Sequence, residues 1–310
     1  MKKALSVLLA VILVIGTLTL AACGSSDSGG KKEQKVDEKN LSFTTVGELK
    51  SAGTEYDFIA AERKLEDDAA VCVIKADAEG EIAVPAQYDG KDVAAVISES
   101  QSSDRLTSLT LENGVSYIEN CFTESSSVQA LTLPASVKGV YHSFNSNSAL
   151  REVSFPTSVK YIVGSFCSCS ALEKIETTGY VYGIRESFLS DAALADVTFS
   201  GAIQKIENSF DKSGVTSVTF SENVHDVIES FSECAALTSL NVEQIANTFK
   251  KSFCKDSKLE SVKFAQSAES ILYSFNDNDA LSKVDLGGEP PITDSFLNCP
   301  NYTLPQAPAQ

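Results

Sequence analysis

Apolar residues return along most of this chain with a period close to 22. The clearest column is a Phe preceded by a small residue, at Phe122, Phe144, Phe166, Phe188, Phe210, Phe231, Phe253, Phe275 and Phe296, separated by 21 or 22 residues. Nine of the 16 phenylalanines fall on that period, so the repeat is the first fact any fold must satisfy. Ser100 holds the same slot one period earlier, and repeat-like sequence begins near Tyr88.

Other columns keep step with the Phe. Six residues after it stands an apolar residue, as at Val128, Leu150, Leu172, Leu237 and Leu259. Three and five residues farther come pairs such as Leu131 and Leu133, Val153 and Phe155, and Val262 and Phe264, the period-2 alternation of a strand with one buried face. Four residues before the Phe is another apolar side chain: Ile118, Val140, Ile162, Ile184, Ile206, Val227, Phe249, Ile271 and Ile292. About six buried side chains cannot offset the entropy of ordering one repeat of this length, so each copy must lean on its neighbours. The pattern predicts a solenoid of nine or ten coils, at strand spacing a rod of about 45 Å.

The arrangement L-x-x-L-x-L followed by V-x-x-I-x-x-S-F-x-x-C/N/D/S resembles the BspA-type, or Treponema pallidum-type, leucine-rich repeats of bacterial surface lipoproteins. The copies LTSLTLENGVSYIENCF (Leu106–Phe122), VQALTLPASVKGVYHSF (Val128–Phe144) and LREVSFPTSVKYIVGSF (Leu150–Phe166) carry it most clearly, and it covers about 210 of 310 residues. The resemblance implies right-handed coils of about 22 residues with a parallel β-sheet on one face, mostly β and loop. It also implies that some relatives adhere to host matrix proteins, without a transferable binding motif. Thr177, Ala246 and Pro290-Pro291 depart from the pattern and predict irregular coils near residue 246 and near the ends.

The flanks divide the chain further. Residues 1–22 have Lys2 and Lys3, an apolar run from Ala4 to Leu20 and small residues, the layout of an export signal; an uncleaved membrane helix is the alternative. Leu20-Ala21-Ala22-Cys23 resembles a lipobox, which implies cleavage before Cys23 and lipid on it, holding the protein to a bacterial membrane outside the cytoplasm. Residues 23–40 read as the lipidated Cys and a flexible linker, 41–87 as an N-terminal cap, 88–300 as the repeat domain and 301–310 as a tail. Within the cap, Thr45-Val46-Gly47-Glu48 fits a capping box opening a short helix that Gly53 ends. Val71–Ile74 and Ile82–Val84 read as strands, and VPAQYDGKDVAAV as a degenerate first copy.

Composition changes the picture only at the surface. A formal charge of −17 argues against nucleic acid as a partner and makes membrane attachment a matter of lipid. Of eight cysteines, Cys169, Cys234 and Cys299 share the slot three residues after a Phe, where other copies have Ser125, Asn147, Asp191, Ser213, Asp256 and Asn278. Three coils apart, they cannot pair with one another, so they read as buried unpaired thiols; Cys234 and Cys254, on adjacent coils, are the nearest candidates for a disulfide. His142 and His225 sit beside no nucleophile motif, and no metal or cofactor signature is present, so the reading is a non-enzymatic chain without a cofactor.

A rod instead offers faces. Thr110, Thr132, Ser154, Glu176, Thr198, Thr219, Asn241, Lys263 and Asp285 lie between the apolar strand positions and point outward, free for a partner to use. Tyr117, Tyr141, Tyr161, Tyr180 and Tyr182 form a second set on the return side, either as binding anchors or as partly buried braces. The expected partner is a protein or glycan at the cell surface, a host matrix protein among them, and the alternative is a structural envelope lipoprotein with no external ligand.

Overall fold

The computed structural model describes residues 36–59, 65–100 and 102–302. The repeats form a parallel β-solenoid in which each coil contributes two short strands. The L-x-x-L-x-L segments build an eight-stranded parallel sheet from Ala130–Thr132 through Glu152–Phe155 and its successors to Lys283–Asp285. A larger, 13-stranded sheet lies on the other side, built from the segments four residues before each Phe. It runs from Leu41–Thr45 to Ile292–Thr293.

Between the sheets the marker phenylalanines stack into one column. Consecutive rings from Phe122 to Phe296 have centroids 4.6 to 5.8 Å apart and planes within 18°. Each of these Phe residues has a φ between 55° and 65°, and the residues two before and two after it also have positive φ. A bulky L-residue there costs roughly 1–2 kcal/mol, so the bend persists because stacking and hydrogen bonds over-determine it. Amide groups of the bend point both ways along the rod: His142 N donates to Val163 O in the next coil, and Phe144 N to Cys121 O in the previous one.

The small residue before each Phe explains itself here. Ser143, Ser165, Ser187, Ser209, Ser230, Ser252, Ser274 and Ser295 are buried in one file. Each Oγ accepts the N–H of the same slot one coil earlier, as in Ser165 N to Ser187 Oγ at 3.2 Å. The same hydroxyl then donates within its own coil, Ser187 Oγ to Arg185 O at 2.7 Å. A buried backbone N–H left unpaired would cost about 1–3 kcal/mol, which makes this file a condition of the fold.

The coil expected to be irregular at Ala246 is not. Ala246–Lys250 pairs in register with Val224–Ile228 and with Ser270–Leu272. The volume that Ala246 gives up is supplied three residues on by Phe249, whose ring packs against Phe253, Phe264 and Phe275. Thr177 is likewise buried and in register with Phe155 and Phe199. Near the C-terminal end the strands do shorten, and Leu297 is 51% exposed.

At the N-terminal end the helix Val46–Ser51 opens with the expected capping box. Thr45 Oγ1 accepts from Glu48 N, and Glu48 Oε2 accepts from Thr45 N. Gly53, with φ at 70°, follows its end. Val46, Leu49, Tyr56 and Phe58 pack on the outer face of the large sheet against Val71, Val73, Ala95, Ile97, Tyr117 and Tyr141, forming a second core outside the coils. Leu41–Thr45 is antiparallel to Ala70–Ile74, and that strand pairs in parallel with Lys91–Ser98, so cap and coils share one sheet.

Candidate interaction faces

Strand register sets the outer face of the small sheet. Thr132, Ser154, Glu176, Thr198, Thr219, Asn241, Lys263 and Asp285 are successive cross-strand partners, a single row over eight coils. Thr219 and Asn241 are half-exposed and the others exposed. Thr110 is exposed too but does not join the row: its strand, Leu106–Leu111, pairs with Gly80–Val84 in a separate two-stranded sheet, where Thr110 faces Ala83. The nine-member row expected from the period is therefore eight members and one outlier.

A second row, two residues earlier on each strand, escaped the sequence reading although the same period-2 rule marks it. Glu152 pairs with Lys174, and Asp196, Ser217, Ser239, Ser261 and Lys283 follow in register. Ser217, Thr219, Ser239, Asn241 and Ser261 make an uncharged, hydrogen-bonding centre. Charges gather toward the ends, with Glu152, Lys174 and Glu176 on one side and Lys263, Lys283 and Asp285 on the other. Asp196 accepts from Ser217 Oγ at 2.7 Å and Thr216 Oγ1 at 2.8 Å, bonds that hold its carboxyl below the usual range.

The tyrosine set divides. Tyr117 and Tyr141 are buried under the cap segment that carries Tyr56 and Phe58, so neither ring is available to a partner, which corrects the expectation of binding anchors there. Tyr161 is half-buried at the edge of that core and stacks on Tyr182, with centroids 5.8 Å apart. Tyr182 is 48% exposed and meets Tyr180 edge-on at 4.9 Å. Tyr180 is 37% exposed, and its hydroxyl donates to Gln204. The exposed aromatic patch is thus Tyr161, Tyr180 and Tyr182, just beyond the reach of the cap.

Every cysteine among the described residues is a free thiol, Cys234 and Cys254 included. Cys169, Cys234 and Cys299 are buried, and each Sγ donates to the carbonyl of the preceding coil's Phe: Phe144, Phe210 and Phe275. Burial pushes the Cys169 and Cys234 thiols up and the half-buried Cys167 to about 11, the reverse of what a nucleophile requires.

The two histidines part company. His225 Nδ1 meets Asn247 Nδ2 on the surface. His142 Nε2 lies 3.2 Å from Asp57 Oδ2, and that bond raises its pKa. Beside them Glu119 is buried, with Oε1 accepting from Asp57 N and Oε2 from Phe58 N. Desolvation, opposed by those two N–H groups, pushes the Glu119 carboxyl to about 7. Among the described residues this group brings three ligand-type side chains within 4.8 Å of one another. Both carboxylate oxygens of Glu119 already serve backbone amides, so the arrangement works as a latch fastening residues 57–59 to the coils. The expected export signal at residues 1–22, Cys23 and most of the expected linker, and the tail from residue 303 lie outside the described residues.

The chain matches the family described as BspA type leucine rich repeat region, in six copies, over residues 98–213 and 184–303. Among solved structures it is similar to a leucine-rich repeat protein from Bacteroides ovatus, at 12% identity over 87% of this chain and 93% of that one, with a TM-score of 0.33. A leucine-rich repeat protein from Eubacterium ventriosum is similar at 14% identity over 79% and 95% of the two chains, with a TM-score of 0.27. No curated protein matches.

Proposed function

Since the chain belongs to the BspA-type leucine-rich repeat family, we propose that it is a non-enzymatic interaction protein that presents its rod to a protein or glycan at the bacterial surface. The observation that carries this reading is the row from Thr132 to Asp285. Eight side chains in register owe nothing to the core and together offer donors, acceptors and both signs of charge on an open strip. Such a strip suits an extended partner making many modest contacts rather than a small molecule needing enclosure. The lipobox-like Leu20-Ala21-Ala22-Cys23 supports attachment through lipid on Cys23, with the rod held outside the cytoplasm as an adhesion-type lipoprotein.

The test is capture by the soluble chain lacking residues 1–23, offered immobilised matrix proteins, envelope glycans and whole bacteria. Binding weakened tenfold or more by Glu176→Lys or Thr198→Arg, with unchanged thermal unfolding, is the expected result. No binding to any of these at micromolar concentration removes the proposal.

A further inference from the structure

The slot three residues after each Phe is a buried file with a shared task. Its side chains donate to a Phe carbonyl: Cys169 to Phe144, Cys234 to Phe210, Cys299 to Phe275, and Asn278 Nδ2 to Phe253 at 2.8 Å, each across one coil. Ser213 Oγ serves Phe210 in its own coil. Asn147 differs, turning Oδ1 to the amides of Ala149 and Leu150. The same file also accepts: Asp256 N donates to Asn278 Oδ1, Cys169 N to Asp191 Oδ1 and Cys234 N to Asp256 Oδ1, all at 2.7 Å.

Asp191 and Asp256 are the two members whose side chains have no hydrogen to donate when ionised. Both are fully buried, and the second oxygen of each, Oδ2, has no hydrogen-bond partner among the described residues. A bare carboxylate oxygen in that position is among the costliest arrangements a core can hold, and a protonated one supplies the donor the file calls for. By register, the carbonyl one coil earlier belongs to Phe166 for Asp191 and to Phe231 for Asp256.

We infer that Asp191 and Asp256 are neutral carboxylic acids in the folded rod and that each donates from Oδ2 to the Phe carbonyl of the preceding coil, Phe166 and Phe231, as two proton-dependent clasps. The groups around them agree. Asp191 faces the Cys167 and Cys169 thiols, and Asp256 faces Asp211, Glu233 and the Cys234 and Cys254 thiols; among the described residues no cation bears on either. Burial pushes Asp191 up to about 8, against the opposing pull of the Cys169 N–H, and lifts Asp256 in the same direction.

The sign follows from linkage. An unfolded Asp titrates near 3.9, so between there and about 8 the native state holds a proton that the unfolded state has lost. Stability falls as pH rises through that window and levels off above it.

The experiment compares wild type with the Asp191→Asn/Asp256→Asn double variant, since Asn278 already fills this slot with an amide. Wild type should lose several degrees of Tm between the acid and alkaline ends of the window, while the variant loses markedly less. Glu119, pushed to about 7, contributes a protonated carboxyl in both proteins, so in neutral buffer the infrared band of protonated carboxyl should be larger in wild type than in the variant, and the excess should vanish on alkaline titration. Equal pH dependence of the two proteins overturns the inference. So does carboxylate absorption without a protonated band in neutral buffer, a readout that stands even if the variant does not fold.

Discussion

Ser187 N donates to Ser209 Oγ across 3.2 Å, and the same hydroxyl passes its own proton to Glu207 O at 2.8 Å. One small side chain thus closes its own bend and pins the coil before it. Ser209→Ala leaves the buried Ser187 N–H without its partner, while Glu207 O keeps the N–H of Glu186, and should cost about 1–3 kcal/mol in urea unfolding. Cys121, which fills the same slot in the first Phe coil and donates Sγ to Glu119 O, shows a thiol working there, so Ser209→Cys should recover part of the loss.

The phenylalanine column is stiffer to change. Phe188 packs between Phe166 and Phe210 at 5.4 and 4.9 Å and meets Phe155 edge-on. Phe188→Ala should cost roughly 3–5 kcal/mol by calorimetry or chemical denaturation, because neighbours locked at the same spacing cannot collapse into the hole.

Cys169 should be replaceable. Its Sγ donates to Phe144 O at 3.0 Å, a bond a hydroxyl can make, and Ser125 and Ser213 occupy the same file. Cys169→Ser should shift stability by less than about 1 kcal/mol, and a thiol-specific reagent should label the folded protein at Cys167 before Cys169.

The latch at Glu119 should loosen as pH rises. Its folded pKa, about 7, exceeds the unfolded value near 4.3, so its favourable contribution is complete below the lower value and lost on the way to the upper. The hydrogen bond to Asp57 raises His142 as well, so the imidazole keeps its charge to higher pH than a free histidine. Hydrogen exchange, corrected for intrinsic rates, should show protection at Asp57 and Phe58 falling with pH, and Glu119→Gln should flatten the dependence.

The repeat length, the marker Phe, the inward strand pairs and the capping box at Thr45 and Glu48 could all be read from the chain, because each is a local pattern with a single physical solution. The second sheet could not. Its strands carry apolar residues three apart, as at Ile203 and Ile206, and that spacing lacks the alternation that announces a strand. Nor did Phe166 or Phe188 signal a left-handed backbone, since residue type argues against it and only the assembled column enforces it. Tyr117 and Tyr141 were ambiguous for a different reason: Tyr56 and Phe58, which cover them, lie some 60 to 85 residues away in sequence.

Among the described residues the two ends of the rod are unequal. One is clamped by a helix, an antiparallel strand and a second core; the other closes on a two-residue strand beside an exposed Leu297. Under tension the weaker end yields first, and because each coil rests chiefly on its neighbours, yielding proceeds coil by coil. Such a molecule lengthens in increments of about 22 residues instead of giving way all at once.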